Sequence, residues 1–257
     1  MKGLPAALAA GLVLLGGCTA VPAQVVTVTA PPASVSPTPE PTVDGWANAQ
    51  AFADAALKGD YDTASNYVSA NGAAARYLEH QRAMNEASTA AGLGSTEGPD
   101  DVTFDADEGS VTYTYTDGPT VTWKAFEYDS AGMVISWSTG KSATKLSDRL
   151  WTKPAKASTA HAVVELVSAY KNDAGLFVVL DVKAKDRALS PDCSPLLDDA
   201  KHRQREASDC SAPDSISKGN AAYVAVSFDG ADFGGTLRYQ LQDANWNELG
   251  TVKLKIR

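Results

Sequence analysis

Strict alternation of apolar and polar residues through the second half constrains this chain most. Val164, Leu166, Ser168 and Tyr170 alternate with Glu165 and Lys171. Val178, Leu180, Val182 and Ala184 alternate with Asp181, Lys183 and Lys185. Val224, Val226 and Phe228 follow, then Leu237, Tyr239 and Leu241, then Val252, Leu254 and Ile256. A period of two places every second side chain on one face, so each segment predicts a half-buried strand. Asn172-Asp173-Ala174-Gly175 supplies a turn between the first two. Residues 159–257 are therefore expected to form an all-β sandwich of antiparallel strands.

The first half has helical spacing instead. Asp44 can cap a helix running to about Lys58, with Trp46, Ala49, Phe52, Ala53, Ala56 and Leu57 in one apolar stripe. Gly59 offers its C-terminal stop. A second helix is expected at about 61–68, with Ala64, Tyr67 and Val68 inward. A third runs from Gly72 to about Ala91, with Tyr77, Met84 and Ala91 on one side. Short strands come next at 102–105, at Val111, Tyr113 and Tyr115, at 121–128 and at 133–138. Helices followed by a meander predict an α+β unit over residues 44–151. Residues 152–158 are polar with one proline and read as an interdomain link, so each block is expected to fold alone.

Ahead of both blocks, residues 1–17 combine Lys2, an apolar run from Leu4 to Leu15 and small residues before Cys18. That is the shape of a secretory signal. The run is shorter than the ~20 residues a membrane span needs. Leu15-Gly16-Gly17-Cys18 resembles the lipobox of bacterial lipoproteins. The resemblance implies diacylglycerol on the Cys18 thiol, cleavage just before it, and a lipid-anchored place on the extracellular face of the cell membrane. Residues 18–43 hold Pro22, Pro31, Pro32, Pro37, Pro39 and Pro41 among Ala, Val, Ser and Thr. Proline fixes φ and removes donors, so this stretch is expected to be an extended tether.

Two further resemblances concern the folded part. Gly59-Asp60-Tyr61-Asp62-Thr63-Ala64, followed by short aromatic strands, resembles the cone-shaped nuclear-transport-factor-2-like superfamily. More narrowly, it is similar to accessory domains of bacterial lipoproteins. Members of that superfamily are ligand binders, enzymes or inert scaffolds. The second block, with LFVVLDVKAKD, a variable loop and then ISKGN, resembles immunoglobulin-like lipoprotein domains of Gram-positive envelopes.

Charge and cysteines narrow the partners. The net charge of −9 is repelled by nucleic acid and by anionic headgroups, so no nucleic-acid partner is expected. Membrane attachment is expected through the lipid at Cys18. Cys193 and Cys210 remain as a pair in an exported chain, where a disulfide is the default. The rival is a metal site; His202 lies between them, but no ligand cluster at zinc spacing accompanies it. No metal or other cofactor is expected.

Catalytic motifs are sparse. Ser138 to Lys141, Ser142 to Lys145 and Ser215 to Lys218 each match Ser-x-x-Lys, but no Lys-Thr-Gly or Ser-Asp-Asn accompanies them. His80, His161 and His202 are scattered without metalloprotease spacing. A triad is spatial and stays open at this level. Aromatic residues concentrate in the first block. Trp46, Tyr67, Tyr77, Tyr113, Tyr115 and Trp123 are the candidate lining of a ligand pocket, or else they fill the core. The chain is expected to be a non-enzymatic binding or scaffolding module for an envelope protein or wall polymer. The alternatives are capture of a small apolar or aromatic ligand in the cone, and a hydrolase or wall-modifying enzyme.

Overall fold

Aspartate caps open the first two helices, and the sequence points to the first of them. In the computed structural model Asp44 Oδ1 accepts from the Trp46 and Ala47 amides at 3.1 and 3.3 Å, starting α1 (Gly45–Leu57). Gly59 then takes φ +75°, a left-handed turn that glycine adopts without penalty. Asp60 Oδ1 accepts from Thr63 N at 3.1 Å and starts α2 (Tyr61–Ser65). The third helix is α3 (Ala73–Ala90). The structure describes residues 44–256 except 95–97, 116–117, 119 and 141. The signal, Cys18 and the tether lie outside the described residues.

A meander follows: β1 (Asp101–Asp105), β2 (Ser110–Thr114), β3 (Thr120–Tyr128), β4 (Val134–Thr139) and β5 (Thr144–Lys145). They form one antiparallel sheet in chain order. Phe52, Leu57, Leu78, Val111, Trp123, Val134, Trp137 and Leu146 form the core between this sheet and the helices.

A short helix α4 (Leu146–Arg149) leads into β6 (Leu150–Trp151) and β7 (Ala155–Ser158). The remaining strands are β8 (Ala162–Lys171), β9 (Gly175–Ala184), β10 (Leu189–Ser190), β11 (Leu196–Asp199), β12 (Gln204–Glu206), β13 (Asp209–Ser211), β14 (Ala221–Asp229), β15 (Gly235–Asp243) and β16 (Glu248–Lys255). One sheet has the order β13-β14-β9-β8-β6, with β7 also paired to β8; the other has β10-β15-β11-β12, with β16 on β15. Leu166, Val178, Leu180, Val224 and Phe228 from the first meet Leu197, Leu237, Tyr239, Val252 and Leu254 from the second in one apolar core. The fold is thus β-rich and antiparallel, and among the described residues its helices are confined to the first block.

The expected link at 152–158 is a different object. Ala155–Ser158 pairs with Leu166 to Val163, and Leu150 and Trp151 pair with Tyr170 and Ala169. Both short strands therefore complete the edge of β8, because an open edge carries unpaired backbone groups. Contacts across the boundary extend further. Ala73, Ala74 and Leu78 of α3 enter the first core, while Ala83 and Ala87 of the same helix pack on Val179 and Ala225. Val179 points away from the sandwich core that holds Val178 and Leu180, so α3 covers the outer face of that sheet. Both blocks belong to one compact body.

The polar stretch from Arg187 to Asn220 holds β10 to β13. Cys193 and Cys210 form a disulfide with a Cα–Cα distance of 5.4 Å. It ties the segment between β10 and β11 to β13, the edge strand of the facing sheet.

Candidate functional site

Aromatic residues from five elements converge inside the first block. Trp123 of β3 and Trp137 of β4 lie with ring centroids 4.6 Å apart. Phe52 of α1 is 5.2 Å from Trp137, and Tyr77 of α3 meets Trp137 edge-on at 5.3 Å. Tyr113 of β2 closes on Trp123 at 5.3 Å. These separations fit the packed range of aromatic pairs, so each ring fills space left by its neighbour. Tyr170, from β8 of the second block, joins the cluster 5.4 Å from Tyr77.

Burial sets the chemistry of these rings. It pushes the Tyr77 and Tyr113 hydroxyls well above their ordinary range, and Tyr170 up to about 12. None of the three is poised to ionise near neutral pH.

The six candidate pocket residues separate. Tyr77, Tyr115 and Trp123 border a cleft of about 40 Å³, together with Leu57, Tyr61 and Gln81. Small-molecule sites run to about 300–1,000 Å³, while one water needs about 10–15 Å³. This cleft therefore has room for a few waters. Tyr113 stands behind it, edge-on to Tyr115 at 5.8 Å. Trp46 packs elsewhere, against Phe126 at 5.9 Å, and Tyr67 leans on the core from the end of α2.

The sequence did not reveal one nucleophile–base pair. His80 Nδ1 lies 2.7 Å from Ser168 Oγ, joining α3 to β8. The two residues are 0% and 2% exposed. Burial lowers the His80 pKa to about 3, so the imidazole stays neutral. Proximity alone resembles two members of a triad, but neither residue borders either described cleft, and a nucleophile must meet its substrate. The contact acts as a pin between the blocks.

A second cleft, open and about 450 Å³, is lined by Ser142, Lys171, Asn172 and Asp173. Its charges are already paired. Lys171 and Lys201 both bind Asp232, which they hold down at about 2. Buried Arg149 donates to Asp173 Oδ1 at 2.9 Å and to the Thr139 carbonyl at 3.3 Å. Gly140 makes room for it, since a Cβ there would collide with the guanidinium.

The Ser-x-x-Lys matches do not assemble. Ser142 Oγ bonds Thr144 Oγ1 at 2.7 Å. Lys145 pairs with Glu127, which raises its pKa and keeps it protonated, so it cannot serve as a base. Ser138 is buried in β4, and Lys141 lies outside the described residues. Ser215 and Lys218 flank Ile216, whose backbone bridges to Leu189 in no helix. Among the described residues no group of three or more His, Cys, Asp or Glu could hold a metal ion. Among them, too, no helix is long and apolar enough to cross a membrane. Comparison of the chain with protein-family models, with curated proteins and with solved structures returns no match.

Proposed function

We propose that this protein is a lipid-anchored cell-envelope lipoprotein that works as a non-enzymatic binding or scaffolding module. The observation that carries the reading is the filled interior of the first block. Trp123, Trp137, Phe52, Tyr77 and Tyr113 pack ring against ring and fill that interior. The remaining cleft of about 40 Å³ suits water rather than an organic ligand. The anchor rests on the lipobox-like Leu15-Gly16-Gly17-Cys18 and the proline-rich tether behind it. In this reading the first block is a nuclear-transport-factor-2-like unit whose chamber has closed. The second is an immunoglobulin-like sandwich, and the two present an outer surface to an envelope protein or wall polymer.

Native mass spectrometry of the full chain extracted from membranes tests this. The expected mass is that of the chain from Cys18 onward plus a diacylglyceryl group, with no small molecule retained. A non-covalent organic adduct released on unfolding would contradict the filled-interior reading and favour ligand capture.

A further inference from the structure

Trp246 stands at the tip of the hairpin between β15 and β16, and its side chain is 69% exposed. Its backbone takes φ +64°, a left-handed conformation that bulky residues rarely adopt. The turn is nonetheless held firmly. Asp243 Oδ1 accepts from the amides of Asn245 and Asn247 at 2.8 and 3.0 Å. Trp246 N donates to the Asp243 carbonyl at 2.9 Å, and Asp243 N donates to the Asn247 carbonyl at 3.0 Å. Asn247 Nδ2 adds a bond to Asp243 Oδ2 at 3.0 Å. A strained, exposed indole on a rigid support meets the usual condition for a functional anchor.

The surroundings choose the partner. The tip carries Ala244, Asn245, Asn247 and Glu248, all exposed and without a second large apolar side chain. That is unlike the apolar centre of a protein interface. Beside it, Asp186 pairs with Arg187 at 3.3 Å, and the charge of Arg187 also acts on Asp243. Glu248 is exposed two residues beyond the indole, so Asp243 and Glu248 flank Trp246 along the chain, on a protein of net charge −9. An anionic lipid surface would be repelled. A cation over the indole face would be attracted by both the ring and the carboxylates.

We propose that the Trp246 hairpin docks a basic segment of a protein partner, with a Lys or Arg side chain lying over the indole and the carboxylates around it. This rests on the binding-module reading above and names the partner's chemistry.

The full chain in detergent, titrated with a fluorescent octa-arginine peptide, tests it. Trp246→Gly suits the left-handed backbone, so the fold survives and its melting temperature is equal or higher. That variant should bind the peptide about three- to fivefold more weakly. Glu248→Gln should weaken binding about twofold, and added salt should weaken it further. Undiminished binding by Trp246→Gly, or no binding by the native chain, would overturn the proposal. So would Trp246-dependent binding of an N-acetylglucosamine oligomer or of phosphatidylglycerol vesicles in place of the peptide. Photo-crosslinkers at Asn245 and at exposed Lys124, used in intact cells, separate two failures. Protein adducts from Lys124 alone defeat the hairpin and leave the binding module standing; adducts from neither defeat both.

Discussion

His80 Nδ1 meets Ser168 Oγ at 2.7 Å inside the packing between α3 and β8. The pair fastens a helix of the first block to a central strand of the second. The ring is wholly buried, so its neutral form is favoured and its pKa falls from 6.5 to about 3. The consequence for stability follows by linkage. Below pH 6.5 the unfolded chain takes up a proton that native His80 refuses until about pH 3. The stabilisation is complete above 6.5 and is lost progressively as pH falls through that window. Each unit costs about 1.4 kcal/mol, so about 2 kcal/mol is gone by pH 5. Urea unfolding at pH 7 and pH 5 should show that drop in the native chain and a flatter dependence in His80→Leu. Equal pH dependence in the two would contradict the buried neutral histidine.

Cooperation between the blocks follows from α3. One helix supplies Leu78 to the first core and Ala87 to the sheet bearing Val179 and Ala225. Severing the chain at 152–158 also strips β6 and β7 from β8. The intact chain should therefore melt in one transition. Residues 44–151, expressed alone, should lack a cooperative transition, because Tyr170 and the covering sheet are gone. Two separate transitions in the intact chain, matching those of the halves, would restore the domain boundary expected from sequence.

The cysteine pair closes a loop with a sequence separation of 17. Chain entropy gives such a crosslink about 3 kcal/mol. Cys193 and Cys210 should resist alkylation without reductant, and Cys193→Ala with Cys210→Ala should lower stability by about that amount. Labelling of either cysteine in the unreduced chain would remove the bond from the account.

Much of this architecture was legible in the residues. The cap Asp44, the stripe on α1 and the period of two in β8, β14, β15 and β16 report local geometry, which sequence carries directly. Several features escaped. The run Leu176-Phe177-Val178-Val179-Leu180 breaks the alternation because β9 is covered on both faces, by the opposite sheet and by α3. The small residues Ala83 and Ala87 gave no stripe, since close helix–sheet contact uses alanine where periodicity counts large side chains. The 152–158 stretch is polar yet forms an edge strand, because an edge needs only its backbone bonded on one side. The His80–Ser168 contact joins residues 88 positions apart, which no spacing rule could reveal. Whether Tyr77 and Trp123 bordered a chamber or filled one depended on the packing of five rings from different elements.

The central claim is a module held at the envelope by Cys18 that acts by contact with a partner. Chemical crosslinking on intact cells, comparing the native chain with Cys18→Ala, tests it most directly. The account predicts a discrete protein or wall-polymer adduct in the membrane fraction of native cells, lost when Cys18 cannot be acylated. The absence of any adduct from the native chain, or one of equal yield from a soluble Cys18→Ala form, would contradict it.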